Sequence, residues 1–148
     1  MSKSPPVNAG AVLRLTYMSK ATSLAAHPNR TTAMAQLGCQ SRRCNQLYGL
    51  TGALLAGQDW FIQTLEGDPV AVYATFARVN LDLRHQDVRV FEIASTDARM
   101  FPDWTMHVGA MEKVSSALLW QCGRAYRRVP PHSASLLLRA LEESVHAA

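Results

Sequence analysis

The sequence predicts an α+β sandwich in which two helices cross one face of a mixed sheet. Three observations carry that expectation. The runs Leu13-Arg14-Leu15-Thr16-Tyr17 and Asp59–Gly67 alternate with the period of a strand; apolar residues recur at helical spacing between strands; and the elements follow the order βαββαββ. At 148 residues, 48% hydrophobic and 18% charged, the chain has the composition of one globular domain with one core.

Taken in order, residues 1–11 include Pro5-Pro6 and lack the apolar core of a secretory signal, so they read as a flexible leader to a domain over residues 12–109. The first strand sends Leu13, Leu15 and Tyr17 to one face. Thr22–Pro28 reads as a loop and Asn29 as the N-cap of a helix running to about Leu47. Its apolar stripe is Met34, Leu37, Cys44 and Tyr48, while Ser41 and Asn45, four apart, project together. Gly49 stops that helix, and Leu50–Ala56 pairs with Asp59–Glu66 as a hairpin around Gly57.

Asp68-Pro69 is an N-cap followed by a proline at the first helical position, and Val72, Phe76, Val79 and Leu83 make the apolar stripe of the second helix. Arg78, Asp82 and, in a last turn, His85 fall on another face of it. Asp87–Ala94 is the fourth strand, and after a turn at Phe101-Pro102-Asp103 the residues Trp104, Met106 and Val108 alternate along a fifth. The extension over residues 110–148 holds two more helices, Glu112 to about Arg124 and Pro131–His146. Leu118, Leu119, Leu137, Leu138, Leu141 and Val145 give them apolar faces, and the open sheet face is where these bury. Crossover helices on one side of such a sheet make the arrangement ferredoxin-like.

No apolar run reaches the ~18 to 20 residues that span a bilayer, so a soluble, cytoplasmic protein is expected. Cys39, Cys44 and Cys122 are neither paired as CxxC nor near histidines at zinc spacing, which indicates reduced thiols and no metal. The net charge of +4 is modest, and its densest cluster, Arg124, Arg127 and Arg128, reads as an exposed basic turn rather than a nucleic-acid site.

One residue does not fit an ordinary core. Alternation puts Gln63 on the face of Phe61 and Leu65, and puts Tyr17 on the same side. A buried amide without partners costs about 1–3 kcal/mol, so the two either satisfy each other or a water, or face a polar ligand.

With Tyr17, Ser41, Asn45, Leu50-Thr51-Gly52-Ala53-Leu54-Leu55, Phe61-Ile62-Gln63-Thr64-Leu65-Glu66-Gly67, Arg84-His85 and Phe101-Pro102-Asp103-Trp104-Thr105-Met106 assembled, the chain resembles the BLUF family of blue-light sensors from about Leu13 to Val108. The resemblance implies a flavin between the first two helices, FAD by family, with FMN or riboflavin as alternatives. It implies that Asn45 and Gln63 meet the polar edge of the ring and that Arg78, steadied by Asp82, meets another carbonyl. Ser41 lines the same site, and Arg84 and His85 lie toward the ribityl or phosphate portion. Light is then expected to draw an electron and a proton from Tyr17, and Gln63 to relay the proton and change rotamer or tautomer. Absorption shifts slightly to the red until the network relaxes, and no substrate is turned over. Trp104 and Met106 are implied to exchange proximity to Gln63 and to pass the change to the terminal helices. Cys44 departs from the Asn or His that members often carry before Asn45.

The length leaves no room for an attached effector, so the output is expected on a partner protein, with self-association through the terminal helices or a sheet edge. The competing class is a non-photoactive small-ligand or RNA-binding ferredoxin-like module. Trp60 or Phe61 would be its stacking platforms, but no RNP-like segment and no phosphate-cradling loop accompanies them.

Overall fold

A computed structural model describes residues 11–22, 42–56, 59–103, 106–110, 114–127 and 133–146. Among them, strands β1 (Val12–Ala21), β2 (Thr51–Ala56), β3 (Trp60–Gly67), β4 (His85–Thr96) and β5 (His107–Ala110) form one sheet in the order β4-β1-β3-β2-β5. Helix α1 covers residues 42–48, α2 is Pro69–Asn80, α3 is Ser116–Arg127 and α4 is Ser133–His146. β1 is antiparallel to β3 and β4, the β2–β3 hairpin is antiparallel, and β5 joins β2 in parallel. The α+β, ferredoxin-like architecture is therefore present.

Strand alternation divides the interior into two layers. On one face, Leu15, Tyr17, Leu54, Phe61, Leu65 and Met106 cluster with Val72, Phe76 and Val79 of α2. On the other, Met18, Leu55 and Ile62 cluster with Leu118 and Cys122 of α3 and Leu137 and Leu141 of α4. The terminal leucines bury where expected. Complete burial of a side chain such as Leu137 or Leu141 contributes about 1.5–3 kcal/mol.

Two helix ends are set by local chemistry. Gly49 takes φ +67°, and the amides of Gly49 and Leu50 bond back to the carbonyls of Gln46 and Asn45, a Schellman closure that leads directly into β2. Asp68 caps α2 by accepting from the Ala71 amide at 3.2 Å, with Pro69 at the helix start.

Several boundaries differ from expectation. β4 runs 12 residues against 10 in β1, because register shifts beside Thr16/Tyr17 and Met18/Lys20 absorb the excess, and Asp87 takes φ +56° at the second. The second helix ends at Asn80, so His85 opens β4 instead of closing a helix, and Leu83 is exposed. The first terminal helix starts at Ser116, after non-helical residues 114–115 and so later than Glu112, and continues to Arg127, while the second is described from Ser133, Pro131 lying outside the described residues. Tyr48 is half exposed beneath the Arg78 guanidinium, not part of an apolar stripe. β5 begins at His107, with Met106 immediately before it. The leader, Thr22–Pro28 beyond Thr22, the Asn29 cap, Met34, Leu37, Cys39, Ser41, Gly57, Trp104 and Arg128 lie outside the described residues.

Candidate functional site

Tyr17 and Gln63 are direct partners in the β1–β3 register, so both buried side chains rise from neighbouring points of the sheet. The Tyr17 hydroxyl donates to Gln63 Oε1. Gln63 Nε2 donates to Met106 Sδ at 3.7 Å. Sulfur is a weak acceptor and an amide has two N–H groups, so Gln63 retains donor capacity that no described residue takes up. Burial pushes the Tyr17 phenol far above the usual tyrosine range; the charge of Asp82 adds to this and that of Arg84 opposes it.

Over this pair lies a cleft between α1 and α2. Its floor is Tyr17, Leu54, Phe61 and Gln63; α1 contributes Cys44 and Asn45, and α2 contributes Thr75, Arg78 and Val79. Asp82, Arg84 and His85 form the rim. The space open to the centre of a water is about 190 Å³, against the ~10–15 Å³ that one water needs. A bridging water does not account for it.

The donor set fits a flavin. Leu54, Phe61 and Val79 offer apolar surface to a flat ring, while Asn45, Gln63 and Arg78 offer amide and guanidinium groups to an edge of carbonyls and ring nitrogens. Asn45 is almost fully buried, held at the closing turn of α1. Arg78 donates to Thr75 Oγ1 at 3.2 Å and to the Tyr48 hydroxyl at 3.4 Å, and lies over the Tyr48 ring. Those acceptors are neutral, which leaves the cation able to serve a carbonyl in the cleft.

The expected Asp82–Arg78 pairing is not formed. With α2 ended at Asn80, Asp82 lies in the turn and receives the Arg84 guanidinium and the Arg84 amide instead. The Arg84 hydrogen bond holds the Asp82 carboxyl below the usual carboxylate range. A depressed carboxylate contributes stability above its unfolded pKa of about 3.9 and loses it as pH falls through the lower folded value. We therefore expect the stability gap between wild type and Asp82→Asn to shrink from about pH 5 to about pH 3 in thermal melts; a constant gap would contradict the pairing.

His85 is tied into the fold. Its Nε2–H donates to the Val79 carbonyl at 2.6 Å, and Nδ1 meets the Ser19 hydroxyl at 2.8 Å. Its ring packs edge-on against Tyr17 and Phe61 at 6.0 and 6.4 Å, so it shapes the wall by its ring. Of the sequence-derived site residues, the structure brings together Tyr17, Asn45, Gln63, Arg78, Asp82, Arg84 and His85 around the cleft, with Met106 against Gln63; Ser41 and Trp104 lie outside the described residues.

Sequence reasoning missed Thr75, Leu54 and Arg42. Thr75 precedes Arg78 by three on one helix, and Leu54 opposes Gln63 in the hairpin, so both were accessible from spacing. Arg42 donates Nε to the Met106 carbonyl at 3.2 Å, a contact across 64 positions with no local signal. Among the described residues, no group of three or more His, Cys, Asp or Glu forms a metal site, and no helix is long and apolar enough to cross a membrane.

Residues 12–107 match the model of the BLUF family, sensors of blue-light using FAD. The photoactivated adenylate cyclase subunit beta of Euglena gracilis is 29% identical over 133 residues, covering 86% of this chain and 15% of that protein. The chain thus spans about 15% of the length of that curated relative. The dark-state structure of the BLUF protein BlrB is 28% identical with a TM-score of 0.70, covering 88% of this chain and 95% of that one. The photo-activated structure of BlsA has a TM-score of 0.73 at 20% identity over 88% of this chain and 94% of its own, a likeness of fold alone.

Proposed function

The chain belongs to the BLUF family of flavin-binding blue-light sensors, and from that membership we propose that FAD occupies the cleft between α1 and α2 and that Tyr17 and Gln63 register its excitation. The observation that carries this reading is the buried Tyr17–Gln63–Met106 hydrogen-bond chain on the floor of the cleft. Asn45, Gln63 and Arg78 would hold the ring edge, Ser41 would join them, and Asp82, Arg84 and His85 would lie toward the tail of the cofactor. Bound flavin supplies blue absorption and, once excited, an acceptor for an electron and a proton.

The residues supply the rest. Burial keeps the Tyr17 phenol neutral, so its proton is present to leave, and its hydroxyl already points along a bond to Gln63 Oε1. Gln63 accepts from Tyr17 at one end of its amide and donates to Met106 at the other. Turning the amide exchanges these roles and withdraws the bond to the Met106 sulfur, whereas moving one proton from Nε2 to Oε1 makes the oxygen a donor and leaves the nitrogen a single N–H. Met106, with Trp104, then carries the change toward the terminal helices. We assign residues 12–109 to sensing and residues 110–148 to transmission, with the output a change in contact with an effector protein or a second copy of the chain, and no substrate turned over. A cytoplasmic site of action suits this reading.

Asn45→Ala tests the cofactor assignment. Loss of a buried amide contact of about 1–3 kcal/mol corresponds to roughly 5- to 150-fold weaker flavin retention. Flavin fluorescence released on desalting measures it, and unchanged retention would remove Asn45 from the site.

A further inference from the structure

β5 is the shortest of the five described strands. It is four residues long, stands at the sheet edge and, among the described residues, pairs only with β2. Yet it is gripped at successive residues from opposite sides. Met106 gives its sulfur to Gln63 Nε2 at 3.7 Å on the cleft side, and its carbonyl to Arg42 Nε of α1 at 3.2 Å. The next side chain, His107, is sent to the other sheet face, where it is buried and its Nε2–H donates to the Ser144 carbonyl of α4 at 3.2 Å.

The strand also lies unusually close to that helix. A Cβ on Gly109 would fall 2.4 Å from Ser144 Oγ and 2.5 Å from Ser144 Cβ, so only glycine allows this approach. Burial, together with the charge of Arg42, lowers the His107 pKa, and a neutral imidazole has a single N–H to give. That N–H is the one on Ser144, because a carbonyl can only accept. At 3.2 Å the bond lies within the normal range for N–H···O.

We propose that His107 is the positioning residue that hands the state of the Gln63 network to the last helix. This role rests on the sensor reading above. When Gln63 releases or regrips Met106, the backbone between residues 106 and 107 moves, and the His107–Ser144 bond converts that movement into a displacement of the final turn of α4. Ser144 is the receiving point, and the Gly109 contact keeps strand and helix in register.

The test is hydrogen exchange over residues 133–146, in darkness and under blue light, on flavin-loaded wild type, His107→Leu and His107→Gln, with the visible spectrum of each recorded first. A wild type without a light-induced spectral shift would overturn the sensor reading, and this inference with it. If the wild type shifts, all three proteins are expected to shift, since His107 is outside the cleft. The light-induced exchange difference is expected in wild type and in His107→Gln, which keeps an N–H donor, and to be lost in His107→Leu. A leucine variant that keeps the difference would overturn the proposal, as would a glutamine variant that loses it equally or a shifting wild type with no difference over 133–146. Should the leucine variant not fold, His107→Asn, whose amide is too short to reach Ser144, takes its place with the same two outcomes.

Discussion

Tyr17→Phe is expected to leave the flavin bound and to abolish the light-induced red shift. The ring remains, so its packing against Phe76 at 5.5 Å and His85 at 6.0 Å is retained and the floor of the cleft keeps its shape. What disappears is the hydroxyl that donates to Gln63 Oε1. That change costs about 1–3 kcal/mol of stability, because a buried amide oxygen loses its donor, an amount small beside complete loss of the photoresponse. Gln63→Leu should also lose the shift while keeping Tyr17 in place. Difference absorption spectroscopy on both variants reads the effect, and a full shift in Tyr17→Phe would remove the phenol from the photochemistry.

The second large effect concerns folding. Glu66 is fully buried, and its two carboxylate oxygens accept from the amides of Met100 and Phe101 at 2.7 and 2.8 Å. Arg99 reinforces the same corner by donating to the Glu66 carbonyl at 3.2 Å, Thr51 Oγ1 at 2.9 Å and the Gly49 carbonyl at 2.9 Å. The strand that carries Gln63 thus also pins the segment leading toward Met106. Charge-assisted bonds contribute about 1.5–3 kcal/mol each, so Glu66→Ala should lose about 3–5 kcal/mol. That is a large share of the 5–15 kcal/mol typical of a whole domain, and for this size corresponds to a fall in Tm of about 6–20 °C. Glu66→Gln, which keeps one acceptor oxygen, should lose roughly half. Thermal or urea unfolding decides the point, and a loss below about 1 kcal/mol in the alanine variant would contradict it.

These two residues also show what was legible beforehand. Period-two alternation was enough to place Tyr17 and Gln63 on one face, since face depends only on local geometry. Their direct opposition depends on the β1–β3 register, which alternation does not specify. The layer of terminal helices followed from their leucines, which had one sheet face left to cover. The pairing of Asp82 with Arg78 was expected because Val79-Asn80-Leu81-Asp82-Leu83-Arg84 holds no glycine or proline to mark the end of α2, and helical spacing was carried past Asn80. Once the chain turns there, Arg84 is the nearer cation. The bulges that lengthen β4 beside Tyr17 had no signal either, because no glycine occupies them; Asp87 takes the positive φ at one. Glu66 alternates away from Gln63, and its partners are backbone amides more than 30 positions distant, which side-chain patterns do not encode. The same is true of His107 and Ser144.

The cleft gives the account its physical basis. An open slot floored by a buried phenol and amide is space that a packed core does not leave, and among the described residues Gln63 keeps donor capacity beyond its bond to Met106. Both features are explained together by a flat ligand with a polar edge. An RNA-binding role for this sheet is not favoured: Phe61 is buried beneath the cleft, and α3 and α4 cover the opposite face.

The most direct test is the visible absorption spectrum of the purified protein before, during and after blue illumination, with acid release and identification of the bound flavin. The expected result is a yellow protein carrying FAD whose flavin bands move slightly to the red in light and return in darkness. A bound flavin whose spectrum does not move, or a protein that takes up no flavin at all, would contradict it.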